Sequence, residues 1–155
     1  MPEEAKKTKK IPKDYLFAVG RRKEAVARVR IYKSVPDTLL FDGKKPSKGQ
    51  MYVNGIPIAR YFNGKTDETF YKEPLRVINV LEKYVISIKV AGGGQSGQLD
   101  ASIHGLARAL EKIDKEKFRP ILKKRGFLTR DQRTRERRKA GTAGKARRQK
   151  SSPKR

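Results

Sequence analysis

The segment VISIKVAGGGQSGQLDASIHGLARAL, residues 85–110, passes from one hydrophobic period to another across a cluster of glycines. Ile86, Ile88 and Val90 alternate with Ser87 and Lys89, the period of a half-buried strand. Beyond the glycines, Leu99, Ile103, Leu106, Leu110 and Ile113 recur at intervals of 4, 3, 4 and 3. At about 100° per residue this spacing keeps them within roughly 40° of one line. A strand, a glycine turn and an amphipathic helix are therefore expected in succession. On the same wheel His104, Arg108, Lys112 and Lys115 fall near the opposite line, so a basic stripe is expected down the back of a core helix.

Gly92, Gly94 and Gly97 fit the G-x-G-x-x-G spacing of a dinucleotide-binding turn. That fold also needs a parallel strand after the helix, with an acidic residue at its end to hold the ribose. Asp114 stands at a suitable distance, but KEKFRPILKKRGF comes after it and reads as helix. The preferred reading is a loop whose lack of side chains lets backbone N–H groups meet a nucleic-acid phosphate near the helix start. A turn without ligand, and phosphotransfer at the loop, stand as alternatives. His104, the only histidine, has no evident nucleophile or paired carboxylates beside it, which argues against general-base work.

Upstream, YLFAVG (residues 15–20) reads as a short strand before the basic triplet Arg21, Arg22 and Lys23. AVARVRIYK then places Ala25, Ala27, Val29 and Ile31 on one face and Val26, Arg28, Arg30 and Tyr32 on the other. Residues 34–50 carry the Pro, Asp and Gly of turns and read as a long mobile hairpin connection to the strand MYVN, leaving Leu39, Leu40 and Phe41 unexplained. Asn54 is expected to cap a short helix through Ile58 and Phe62, with Pro57 in its first turn. A second helix is expected over PLRVINVLEKY, with Pro74 near its start. A last helix, starting close to Arg119 because of Pro120, should end at Gly126 with Lys123, Lys124 and Arg125 in its final turn.

Composition sets the class of partner. Of the 155 residues 35% are apolar and 36% charged, and the formal net charge is +24, a self-repelling field that calls for a polyanion. Residues 129–155 hold twelve Lys or Arg against two acids, without aromatic, Val, Ile or Leu side chains. Such a segment is expected to be disordered in isolation. The chain thus divides into a basic arm over residues 1–14, a globular RNA-binding domain over 15–128 and an extended basic tail over 129–155. Cysteine is absent, which excludes disulfides and thiolate metal sites; no metal or cofactor is expected. With neither a membrane-length apolar run nor a secretion signal, the chain is expected to be soluble and cytoplasmic.

GRRKEAVARVRIY from Gly20, VNG…YF from Val53, GGGQSGQ from Gly92, HGLARAL from His104, KKRGFLTRDQRTRERRKAG from Lys123 and the terminal Lys-Arg together resemble the S-nine family of small-subunit ribosomal proteins, bacterial type. The resemblance implies an α+β domain of the S-five second-domain class, with a mixed four-stranded sheet, packed helices and a long basic C-terminal tail. It implies no enzyme activity and no small-molecule substrate. The partners it implies are the small-subunit ribosomal RNA of the head, neighbouring ribosomal proteins and peptidyl-site transfer RNA.

By the same resemblance Lys154 and Arg155 meet transfer RNA. Ribosomal RNA is met by Arg21, Arg22, Lys23, Arg28 and Arg30, by the loop residues Gly92, Gly93, Gly94, Gln95 and Gly97, and by His104 and Arg108. Further contacts fall to Lys123, Lys124 and Arg125, and to the run Arg130, Arg133, Arg135, Arg137, Arg138, Lys139, Lys145, Arg147 and Arg148. The sequence departs from the family at Pro153, where a serine is common, in the longer connection over residues 34–50, in the added arm and at Pro120. A general nucleic-acid-binding protein of the nucleoid type is the alternative.

Overall fold

The structure, a computed structural model, describes residues 15–35, 39–41, 43, 45–64, 66–142 and 144–147. Strand β1 (Tyr15–Arg22) turns at Lys23 and Glu24 into β2 (Ala25–Tyr32), with Tyr15 opposite Tyr32 and Arg22 opposite Ala25. Strand β3 (Met51–Val53) and the two-residue β4 (Ile56–Pro57) form a second hairpin. Helices α1 (Ile58–Tyr61) and α2 (Asp67–Val77) lead to β5 (Val85–Ala91), and α3 (Gln95–Glu111) and α4 (Lys115–Lys124) complete the domain. The sheet order is β1-β2-β5-β3-β4. It is mixed, because β5 runs antiparallel to β2 and parallel to β3. This is the expected α+β class, with the four expected strands and β4 as a fifth at the edge.

The alternation read from the sequence sorts the sheet correctly. Ala25, Ala27, Val29 and Ile31 are wholly buried, as are Ile86 and Ile88 across β5. Helix α3 covers this face, and its closeness depends on two glycines. A Cβ at Gly20 would stand 1.9 Å from the Ala101 carbonyl oxygen, and one at Gly105 would stand 2.8 Å from a Val29 methyl. Ala101, Gly105 and Ala109 form a small-residue line towards β1 and β2, while Leu106 and Leu110 fill the core beside it. The helix is thus buried over a wider arc than the leucine stripe alone marks.

Four local expectations are corrected. Asn54 does not cap a helix. It and Gly55 take φ of 50° and 88° between Val53 and Ile56, the left-handed pair that a two-residue hairpin turn requires. That turn creates β4, and Pro57, not Asn54, precedes α1. The Asn54 amide instead joins β5, accepting from the Val90 N–H at 2.9 Å and donating to the Val90 carbonyl at 3.2 Å.

Helix α2 begins at Asp67, so Pro74 lies in its interior and not near its start. Asp67 and Glu68 favour the positive end of the helix dipole, and Tyr71, Pro74, Leu75 and Ile78 all turn inward. Asn79, with φ of 55°, ends it: its N–H reaches the Arg76 carbonyl, and the Val80 N–H reaches that of Leu75.

Helix α4 likewise begins at Lys115, not near Arg119, and contains Pro120. Asp114 is its N-cap, accepting from the Lys117 N–H at 3.1 Å. The expected end at Gly126 holds, with the Gly126 N–H on the Lys123 carbonyl at 3.0 Å and that of Phe127 on Leu122 at 3.1 Å.

The connection over residues 34–50 is not a hairpin, since β5 lies between the strands it joins. Phe41 stacks on Tyr52 with ring centroids 4.3 Å apart, which accounts for one of its apolar residues; Leu40 is exposed.

Candidate nucleic-acid interface

The basic stripe of α3 does not run along the back of the helix. It lies against the free edge of β1. Arg108 Nη1 donates to the Val19 carbonyl at 2.5 Å, Lys112 Nζ donates to that of Phe17 at 2.6 Å, and the Arg21 N–H donates to His104 Nδ1 at 3.4 Å. Lys115 belongs to α4 instead. Because a backbone N–H can only donate, His104 must present a lone pair at Nδ1, which is the neutral imidazole. Its pKa is lowered, first by burial and then by the positive charges of Arg108 and Arg130, against a backbone hydrogen bond at Leu128 that raises it.

The root of the tail is fastened beside this histidine. The Arg22 side chain is only 14% exposed; it meets Asp131 at 3.0 Å and Asp100 at 3.4 Å, and donates to the Arg133 carbonyl at 2.9 Å. Asp131 also accepts from the Arg133 backbone at 2.9 Å and from its guanidinium at 2.7 Å. The Arg133 hydrogen bonds, helped by the charge of Arg22, hold the Asp131 carboxyl far below the usual carboxylate range. Two residues read as RNA contacts, Arg22 and Arg133, are thus engaged within the chain. Further on, Glu136 binds the Arg147 guanidinium at 3.0 and 2.5 Å, which lowers the Glu136 pKa. Residues 130–139 form neither helix nor strand.

The glycine loop has a structural cause of its own. Gly92 and Gly93 take φ of 74° and 65°, and a Cβ at Gly92 would come within 2.5 Å of the Glu24 carbonyl in the β1–β2 turn. Gln98 donates to the Gly92 carbonyl at 3.1 Å and accepts from the Tyr61 hydroxyl at 2.8 Å, tying the loop to α1. Gly94 precedes α3 without a side-chain cap, and the N–H groups of the first turn are open there. Helix α3 gives way to helix α4, so among the described residues no strand completes a dinucleotide fold. Asp114, at the ribose-binding distance, is the α4 cap.

The sequence pattern of the family described as "Ribosomal protein S9/S16" matches residues 20–155. The chain belongs to this family. It is 44% identical over 124 residues to the "Small ribosomal subunit protein uS9" of Leifsonia xyli subsp. xyli, covering 80% of this chain and 66% of that relative. It is 42% identical over 128 residues to the protein of the same name from Lawsonia intracellularis, covering 83% and 88%. The Maridesulfovibrio salexigens protein of that name is 42% identical over 132 residues, covering 85% and 91%.

Among the residues expected to meet RNA, exposed cations gather in three places. Arg21, Lys23 and Arg28 project from the β1–β2 hairpin; Lys123, Lys124 and Arg125 close α4; Arg130, Arg135, Arg137, Arg138 and Lys139 are strung along the tail. Arg30 is partly covered and lies 4.9 Å over the Tyr15 ring. Lys145 sits in a turn where the Lys139 N–H meets its carbonyl at 3.3 Å. Arg148, Lys154, Arg155, Pro153 and the arm over residues 1–14 lie outside the described residues. Sequence reasoning missed Lys89, which stands opposite Arg28 on β5; strand pairing alone brings them together.

Proposed function

We infer that the chain is a structural constituent of the small ribosomal subunit in the cytoplasm, that its surface binds the subunit's RNA, and that its last residues contact transfer RNA in the peptidyl site. The observation that carries this reading is the family match over residues 20–155, with relatives named as small-subunit proteins. The family is one of structural proteins, not enzymes.

RNA contact is supported by charge: the chain carries +24, and Arg21, Lys23, Arg28 and Arg125 have no acidic partner among the described residues. The open N–H groups after Gly94 add a backbone anion site at the start of α3. Arg22, Arg133 and Arg147 serve first to shape the tail through Asp100, Asp131 and Glu136. The role of Lys154 and Arg155 rests on the resemblance of the terminal pair.

Sedimentation through a sucrose gradient in moderate salt tests the reading. The chain should travel with small subunits, and recovery only with DNA would replace this reading by the nucleoid type. Deleting Lys154 and Arg155 should leave that sedimentation intact and weaken transfer-RNA retention.

A further inference from the structure

The sheet has a second face, away from α3, and only part of it is covered. At one corner Phe41 stacks on Tyr52, and Tyr32 and Val85 are buried. The rest is open among the described residues. Here the strand registers place Arg21 beside Val26 and Ala91, Val19 beside Arg28 and Lys89, and Phe17 beside Arg30 and Ser87. A depression of about 590 Å³ lies over this area, with Val26 and Ala91 in its floor and Arg21, Arg28 and Lys89 around it.

Two features of this face point outward to a ligand, one within the depression and one beside it. Arg28 and Lys89 are directly opposed on neighbouring strands, and like charges in that position oppose sheet formation. Neither they nor Arg21 has an acidic partner among the described residues, although Glu24 lines the same depression. The tail shows the contrary pattern, its acids Asp131 and Glu136 each bound to arginine. Beside these cations Phe17 holds its ring on the open face at 39% exposure. Its position is fixed from behind, where Lys112 binds its carbonyl at 2.6 Å.

We propose that this face is a binding site for an unpaired RNA strand, with Arg28 and Lys89 clamping a backbone phosphate and Phe17 stacking on a base. Phe17 sits two residues from Val19, the β1 partner of Arg28, so the ring and Arg28 are diagonal neighbours, roughly 7–8 Å apart at the backbone, with Lys89 one strand further across. That interval suits the separation between a base and its own phosphate. The ring requires a base face that a duplex keeps stacked inside, which selects single strands. The site rests on the RNA-binding reading above and specifies which form of RNA this surface takes.

The test uses the full chain, a twelve-nucleotide oligoadenylate, and an RNA duplex of the same length, with affinity measured by fluorescence anisotropy across a salt series. Phe17→Ala should weaken oligoadenylate binding about 5- to 150-fold without changing its salt slope, and leave the duplex unaffected. Phe17→Leu, which keeps an apolar side chain, should behave as Phe17→Ala does, separating loss of stacking from loss of fold. Lys89→Ala should reduce the single-strand salt slope by about 0.7. Equal weakening on both RNAs, or no change on either, overturns the site. The subunit reading fails separately: if wild-type chain does not sediment with small subunits while Phe17→Ala still discriminates between the two RNAs, that reading falls and the site stands.

Discussion

Arg108 binds the carbonyl of Val19 at 2.5 Å, and this contact is one rung of a ladder between a helix and a sheet edge. Four residues along α3 advance about 6 Å. Two residues along β1 advance about 6.6 Å. His104, Arg108 and Lys112 therefore keep step with Arg21, Val19 and Phe17, the strand positions whose polar groups point away from β2. An edge strand left with free carbonyls is a template for pairing with another chain, and long cationic side chains close it here. Removing Arg108 and Lys112 together should lower stability by about 1 kcal/mol for each hydrogen bond removed and raise light scattering at high concentration. Urea unfolding of the double alanine variant checks the first effect; an unchanged midpoint would mean that the ladder has no energetic weight.

The approach of α3 to the sheet depends on Gly105 more than on any leucine. Gly105→Ala places a methyl group 2.8 Å from a buried Val29 methyl and 2.9 Å from the Gly20 backbone nitrogen, and the backbone contact cannot yield without moving a strand. A cost of about 1–3 kcal/mol is expected. Gly94→Ala, whose added methyl meets nothing within 4 Å, is the control and should cost far less.

The lowered pKa of His104 gives stability a pH dependence of known sign. The unfolded chain takes up the proton near 6.5 and the folded one only below that, so the stabilisation from the neutral ring is complete above pH 6.5 and is lost as pH falls through the folded value. Stability should decline between pH 7.5 and 5.5, and His104→Gln should flatten the curve. Because the sequence has one histidine, its NMR titration is free of overlap; a midpoint above 6.5 would contradict the assignment.

Asp131 ties the start of the tail to Arg22. Its depressed pKa means that this contribution is present above the unfolded carboxylate value near 3.8 and disappears as pH falls through the folded one. Asp131→Asn should speed tryptic cleavage after Arg133 several-fold, with cleavage after Arg125 as the internal reference. Equal acceleration at both sites would indicate general loosening instead of a released tail root.

Periodicity made β2, β5 and α3 legible because each carries an uninterrupted apolar rhythm, and Gly126 was legible because a helix end needs a left-handed residue. The two prolines misled for a common reason. Pro74 and Pro120 remove one intrahelical bond each, yet the neighbouring side chains Tyr71, Leu75 and Leu122 are buried deeply enough to carry the helix through them. The Asn54-Gly55 pair was a readable hairpin signal, and the capping preference of asparagine obscured it. The position of the basic stripe was not available from a helical wheel, which gives angles around α3 and says nothing of β1 beside it. Nor could composition show that Arg22 and Arg133 are held by Asp131, a partnership made across a fold.

The central claim is that the cations of this chain meet the phosphates of small-subunit RNA. The most direct measurement is the slope of log affinity against log salt for that RNA, taken for the full chain and for a chain ending at Leu128, which lacks twelve Lys or Arg. The full chain should give a steep negative slope, and truncation should make it shallower by about 0.7–0.9 for each phosphate that the tail no longer neutralises. A shallow slope that truncation leaves unchanged would contradict the account.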